Sequence, residues 1–273
     1  MKDFRGRVAV ITGAASGIGR SLALQLADLG CDLALVDVRD EGLSATADDC
    51  RRSGRTVTTH IVDVSDRAAM EALPSAVDAD HGRVDIVVNN AGVSVGSTLE
   101  DHTIEDFEWL MGINVWGVVY GCKFFLPLLR RSDDAYIVNL SSMFGLVGVP
   151  GQSSYCLSKF AVRGFSEAIA AELADSKIRV MSVHPGGIST NIARNMRWSG
   201  RQDGARARAV KFFDRKAMSS DKAAARIVEG MQSGSQRKLI ATEAYITDVV
   251  KRLVPVLPPS VLARAHRWFN GNR

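Results

Sequence analysis

The stretch VAVITGAASGIGRSLALQLADLG, residues 8–30, decides the fold. It opens with VAVIT (8–12), apolar without alternation, as a strand covered on both faces should be. It closes with GRSLALQLADLG, whose leucines and alanines fall at helical spacing. Between the two, Gly13, Gly17 and Gly19 occupy the turn from strand to helix. A phosphate bound there needs backbone N–H groups brought close without intervening Cβ atoms, and the positive end of a helix dipole. The spacing is TGxxxGxG and not the common GxGxxG fingerprint, and glycines also serve tight helix–strand packing. The place of the turn, between first strand and first helix, is the one that phosphate binding requires.

The same alternation runs on through DLALVD (32–37), TVTTHIVDV (56–64), VDIVVNN (84–90), AYIVNL (135–140), IRVMSVH (178–184) and KLIA (238–241). Helix-spaced segments lie between them, among them DRAAMEALPSAVDADHG (66–82) and FEWLMGINVWGVVYGCKFFLPLLRR (107–131). Strand–helix alternation implies right-handed βαβ units. The expected fold is α/β: a single-domain, Rossmann-like doubly wound parallel sheet of about seven strands with helices on both faces, spanning 1–273. Two segments break the rhythm. Residues 191–217 are polar and glycine-punctuated, with Trp198, Phe212 and Phe213, and read either as a loop over a site or as a solvated surface loop. The extension 244–273 is apolar and basic and is broken by Pro255, Pro258 and Pro259.

The composition narrows the function classes. A chain of 273 residues, 46% hydrophobic and 23% charged, can bury a sizeable core. The net charge of +4 comes with no aromatic-interleaved basic stripe and no zinc-finger spacing, so no nucleic-acid partner is expected. Cys31, Cys50, Cys122 and Cys156 form no CxxC pair, which suits a reduced, cytoplasmic chain with buried thiols. The N-terminus has no signal-like apolar run, and no stretch approaches the roughly 18 uninterrupted apolar residues of a spanning helix, so a soluble protein is expected. His60, His102 and His184 have no metal-ligand pattern and no G-x-S-x-G elbow is present; neither a metal site nor a hydrolase is expected.

Two further features point to chemistry. Asp37 ends the second strand, 18 residues past Gly19, close to where an acidic residue accepts hydrogen bonds from adenosine ribose hydroxyls. An anion there repels a 2′-phosphate, which favours NAD over NADP. Ser16 adds no positive charge for such a phosphate, although Arg39 could bind one. The second feature is SSYCLSK (153–159). Tyr155 and Lys159, four residues apart, share a helix face. An ammonium beside a phenol favours the phenolate and lowers a pKa normally near 10. The alternative is a Tyr and a Lys on a solvated helix surface.

With TGAASGIG (12–19), DV (63–64), NNAG (89–92), Asn114, NLSS (139–142), YCLSK (155–159) and HPGGIST (184–190) in this order, the chain resembles the short-chain dehydrogenase/reductase family, in its single-domain branch. The resemblance covers residues 8 to about 190. It implies that Tyr155 is the general acid/base and that Lys159 holds the nicotinamide ribose and lowers the Tyr155 pKa. It implies that Ser142, with Ser141 as rival, hydrogen-bonds the substrate oxygen. Asn114 would hold a water that links Lys159 to solvent. For the cofactor it implies Gly13, Ser16, Gly17, Ile18 and Gly19 at the glycine turn and Asp37 at the ribose. Asp63 would reach the adenine amino group, left free because Asp66 is the better helix cap, with the Val64 backbone nearby. Asn90, Ala91 and Gly92 would line the fourth strand's end, and Pro185, Gly186, Ile188 and Thr190 would surround the nicotinamide carboxamide.

The expected reaction is reversible hydride transfer between a secondary alcohol or carbonyl and NAD(H). Val95, Phe144, Leu146, Val149, Trp198 and Phe212 would flank the pocket, and a medium-to-bulky hydrophobic alcohol or ketone (a steroid, retinoid or aryl alcohol) would fill it. Alternatives are an NADPH-dependent carbonyl or 3-oxoacyl reductase, a non-catalytic NAD-binding redox sensor, and an epimerase or dehydratase that keeps its cofactor bound. Segments 106–131 and 153–174 resemble the family's dimer-forming helices, so a homodimer or homotetramer is expected. The C-terminal tail is expected to pack on the protein itself, with a partner subunit, the pocket or a membrane surface as alternatives.

Overall fold

Every residue of β1 (Val8–Thr12) is buried, as an unbroken apolar run demands. A computed structural model describes residues 1–192, 195–198 and 217–270, with 265–270 as backbone only. After β1 come α1 (Gly17–Asp28), β2 (Asp32–Asp37), α2 (Asp40–Arg51), β3 (Val57–Ile61), α3 (Arg67–His81), β4 (Ile86–Asn89) and the short β5 (Val95–Gly96). A long helix follows in three parts: α4 (Ile104–Met111), a π-helical turn (Gly112–Trp116) and α5 (Gly117–Leu129). Next are β6 (Ala135–Leu140), α6 (Ser153–Glu172), β7 (Ile178–Pro185), β8 (Ile188–Ser189), β9 (Arg197–Trp198), β10 (Met218–Ser219), α7 (Ser220–Ser233) and β11 (Arg237–Ile240). The described chain ends with α8 (Thr242–Leu253) and α9 (Pro259–Asn270).

Seven strands form one sheet in the order β3-β2-β1-β4-β6-β7-β11, every neighbouring pair parallel. Val10 of β1 stands opposite Ala34 on one side and Val87 on the other. Successive side chains of a strand point to opposite faces, and two cores result. Ile11, Tyr136 and Val138 pack with Leu22, Leu26, Leu43 and Ile227 on one face. Val10 and Ile137 pack with Met70, Phe125 and Val162 on the other. The fold expected from strand–helix alternation is the one observed. From β1 the chain winds outward to β3, then crosses back to β4 on the other side of β1. In such sheets ligands bind outside the strands' C-terminal ends at that switch point.

Some boundaries differ from expectation. β3 ends at Ile61 and not at 64, because Ile61 pairs with Asp37, the last residue of its partner strand β2. β4 starts at Ile86, just after Asp85, whose side chain accepts from Val8 N, Arg83 and the Ser132 hydroxyl. Asp66 caps α3 as expected, accepting from Ala68 N and Ala69 N, and Gly82 closes that helix at φ 71°. The continuous helix Ile104–Leu129 is long and apolar enough to cross a membrane by length and composition. It does not stand out in the sequence because Gly112, Asn114, Gly117 and Lys123 interrupt its apolar run. Val118, Phe125 and Leu129 bury its inner face in the second core. All four cysteines are free and buried.

Candidate active site

Side chains from α6, from the segment after β6 and from the π-helical turn gather at the C-terminal edge of the sheet. Tyr155 projects from the first turn of α6 and Lys159 from the second, so their shared face is real and turned inward: Lys159 is 4% exposed. The ammonium lies 5.6 Å from the Tyr155 ring centroid and donates to Leu140 O at 2.8 Å. Here the expected electrostatics need correction. Burial pushes the Tyr155 phenol up to about 12, while the Ser142 hydroxyl pulls the other way. Burial pushes Lys159 down to about 8. Loss of water is the largest influence on the phenol, and Nζ is committed to Leu140 O.

Ser142 and Ser141 divide the work that the sequence left open between them. Ser141 donates its hydroxyl to Lys159 O at 2.8 Å and is consumed in anchoring α6. Ser142 caps the short turn Met143–Gly145, its Oγ accepting from Phe144 N at 3.1 Å. Phe144 meets the Tyr155 ring edge-on at 6.0 Å. Behind Ser142 lies buried His184, pushed down to about 4 by burial and bonded to Ser142 O and Ser182 Oγ, each at 3.2 Å.

Asn114 sits fully buried in the π-helical turn, a distortion that recurs at functional sites. Its Oδ1 accepts from Val93 N at 2.8 Å, and its Nδ2 donates to Val93 O at 2.9 Å and Ser158 Oγ at 3.1 Å. The amide therefore clamps the segment after β4 to α6, with both of its hydrogens committed. A Cβ on Gly92 would stand 3.3 Å from Asn114 Oδ1 and 3.5 Å from Lys159 Nζ, so Gly92 roofs the pair.

The dinucleotide side is built as a cradle. Gly13 has φ 69° and Gly17 φ 57°. A Cβ at Gly13 would lie 2.8 Å from Asn90 Nδ2, and one at Gly19 would lie 2.3 Å from Gly13 O. Ser16 leaves the start of α1 without a side-chain cap, its hydroxyl accepting from Arg39 Nη2 at 2.9 Å. The α1 N–H groups, Ile18 among them, thus keep their affinity for an anion. Thr190 faces Gly17 across the groove, its Cγ2 3.3 Å from where a Cβ would stand. Asp37 is 6% exposed and accepts from Ala15 N at 3.0 Å and Arg39 N at 3.1 Å, with Arg39 Nε at 3.3 Å.

Several expected cofactor residues also make bonds or contacts within the protein. Asp63 is not left free: its Oδ1 accepts from Ser65 N and Ser65 Oγ, an Asx turn made possible by the serine two residues on. Val64 and Ile188 bury their side chains in the two cores, so only their backbones face outward. Asn90 turns its amide into the glycine turn, donating to Thr12 O at 2.8 Å, and Ala91 N donates to the Thr12 hydroxyl at 3.1 Å. Thr12 itself also accepts from Asn90 N and ties β1 to β4.

Among the pocket residues, Trp198 packs on Gly96, where a Cβ would meet its ring at 2.8 Å. Arg197 beside it stacks 3.5 Å over the Trp109 ring and pairs with Asp106 at 3.1 Å. Gln152, three residues before Tyr155, accepts from Ser94 Oγ and donates to Val95 O. No spacing rule exposes Gln152 or Arg197, since their partners lie far away in sequence, Ser94 and Val95 for the one and Asp106 and Trp109 for the other. Val95 and Leu146 are buried. Phe212, with most of 191–217, lies outside the described residues.

With this geometry in view, comparison with known proteins is decisive. The family profile described as short chain dehydrogenase matches residues 7–199. The chain belongs to the short-chain dehydrogenase/reductase family. A Mycobacterium tuberculosis protein named "Putative oxidoreductase SadH" is 43% identical over 258 residues, 93% of each chain. A family structure from Burkholderia phymatum, solved in complex with NAD, superposes with a TM-score of 0.88 at 29% identity, covering 94% of this chain and 99% of that one. A Mycobacterium paratuberculosis short chain dehydrogenase bound to NAD gives a TM-score of 0.76 at 27% identity, covering 87% and 97%. The protein is thus an oxidoreductase of this family.

The buried lysine makes a stability prediction for this family member. Its folded pKa is depressed from 10.5 to about 8, so the unfolded chain holds the proton more tightly. The penalty is fully present below pH 8 and disappears as pH rises past 10.5. Lys159→Met is therefore expected to raise stability at pH 7 by up to about 3 kcal/mol, with the advantage shrinking between pH 8 and 10.5. Urea unfolding across that range checks it; an advantage that grows with pH would contradict the burial argument.

Proposed function

We propose that the protein catalyses reversible hydride transfer between a hydrophobic secondary alcohol or its ketone and NAD(H). The observation that carries this reading is the convergence of Tyr155, Lys159 and Ser142 at the sheet edge, beside a glycine cradle in which added Cβ atoms would collide with backbone. That cradle suits a dinucleotide: Gly13, Gly17, Gly19 and the α1 N–H groups would hold the pyrophosphate, and Asp37 the adenosine ribose. Two family structures solved with NAD support the same choice of cofactor.

When bound, the nicotinamide supplies the hydride acceptor or donor. Tyr155 protonates the carbonyl oxygen in reduction and takes the hydroxyl proton in oxidation. Ser142, freed for the purpose by Ser141's attachment to Lys159 O, hydrogen-bonds the same oxygen and offsets its developing charge. Lys159 has donors left beyond the one given to Leu140 O; these hold the ribose hydroxyls and favour the phenolate. Asn114 keeps α6 and the Val93 segment in register, and any water it holds must use lone pairs that its side-chain bonds leave over. Phe144 and Trp198 support an apolar substrate of medium to large size, such as a steroid, retinoid or aryl alcohol. Stacked Trp116, Tyr120 and Phe124, with exposed Leu157 and Phe160, support self-association along α5 and α6 as a dimer or tetramer. Free buried thiols suit a cytoplasmic enzyme.

A panel of secondary alcohols offered with NAD and with NADP tests the reading through release of free reduced nucleotide. Turnover of bulky apolar alcohols with NAD is expected. Turnover confined to sugar alcohols would refute the substrate class, and nucleotide binding without turnover would leave a redox sensor.

A further inference from the structure

The start of α8 lies against the loop that follows β7. Ala241, which precedes α8, has φ 72°, and it is the one non-glycine residue with positive φ among the described residues. L-residues rarely adopt this conformation, and a strained one persists only where its surroundings impose it. The turn delivers Glu243, in the first turn of α8, onto the Gly186–Gly187 backbone. Gly187 N donates to Glu243 Oε1 at 2.6 Å. A Cβ on Gly186 would stand 2.7 Å from Glu243 Cγ and Oε1, so the approach requires glycine there. Two other bonds hold the same turn: Gly186 N donates to Ile240 O, and Gly187 O accepts from Met218 N, each at 2.9 Å. α8 also packs on the Met143–Gly145 turn beside Ser142. An acidic residue in a first helical turn is ordinarily explained by its own helix's dipole. Here the carboxylate accepts instead from a backbone amide 56 residues away in sequence.

We propose that Glu243 is a positioning residue whose carboxylate clips the Gly186–Gly187 turn in the conformation that receives the nicotinamide half of the cofactor. The first turn of α8 thereby becomes part of the active site. The proposal rests on the NAD reading above, and its test separates the two.

Glu243→Ala and Glu243→Gln are compared with wild type for binding of NADH and of ADP-ribose, which lacks the nicotinamide, by titration calorimetry. Amide hydrogen exchange at Gly187 is followed in the protein without added nucleotide. Glu243→Ala is expected to weaken NADH binding roughly tenfold, as loss of a charge-assisted hydrogen bond to a positioned loop does. It should leave ADP-ribose within about twofold and speed exchange at Gly187, while Glu243→Gln, which keeps the acceptor, stays near wild type throughout. Equal weakening of both ligands, unchanged NADH affinity, or undisturbed Gly187 exchange in Glu243→Ala overturns the proposal alone. A wild-type protein that binds neither ligand overturns the dinucleotide reading and this proposal with it.

Discussion

Tyr155→Phe is expected to lower turnover by roughly 10³-fold, within the range for loss of a general acid/base, while NADH affinity stays within about twofold. The variant removes one oxygen and leaves the ring, so the edge-on contact with Phe144 at 6.0 Å survives and the fold is undisturbed. The pH dependence has a definite sign. Burial holds the phenol up to about 12, so the acid form needed for ketone reduction prevails at neutral pH. The phenolate needed for alcohol oxidation must be won against that burial by neighbouring positive charge. Oxidation should therefore accelerate as pH rises through this range, while reduction, whose acid form stays populated, should change little. Steady-state rates in both directions from pH 6 to 10 check this. A Tyr155→Phe enzyme with near-wild-type turnover would remove the residue from the chemistry.

Asp37→Ser is expected to exchange cofactor preference. The carboxylate now accepts from Ala15 N and Arg39 and, on the proposed reading, presents an anion where a 2′-phosphate would lie. Removing it takes away the repulsion and frees the Arg39 guanidinium, now paired with Asp37 and bonded to Ser16 Oγ, to meet a phosphate with two parallel bonds. Catalytic efficiency with NAD should fall about 100-fold and that with NADP rise by at least about tenfold, equivalent to some 1.4 kcal/mol per decade. Asp37→Ser combined with Arg39→Ala should lose the gain. If NADP use stays flat in the single variant, Asp37 does not select the cofactor.

Much of this was legible along the chain because it is local. The strands announce themselves as apolar runs, Asp66 and Gly82 bracket α3 by their own chemistry, and Tyr155 meets Lys159 through helical spacing alone. Asn114 could be placed but not understood: its value lies in bonds to Val93 and Ser158, which no spacing connects. Thr12, Gln152, Arg197 and Glu243 were hidden for the same reason. Each acts on a partner distant in sequence that only the folded chain brings near.

Sequence alone determined the doubly wound α/β class, the glycine turn, and the Tyr–Lys pair, because strand burial, backbone φ and i, i+4 geometry are properties of neighbours in the chain. Tertiary structure alone decided that Ser141 anchors while Ser142 faces Tyr155, that Asp63 folds back on Ser65, and that burial raises the Tyr155 pKa while it lowers that of Lys159. Those outcomes depend on which groups lose water and which carbonyls lie within reach, and packing sets both.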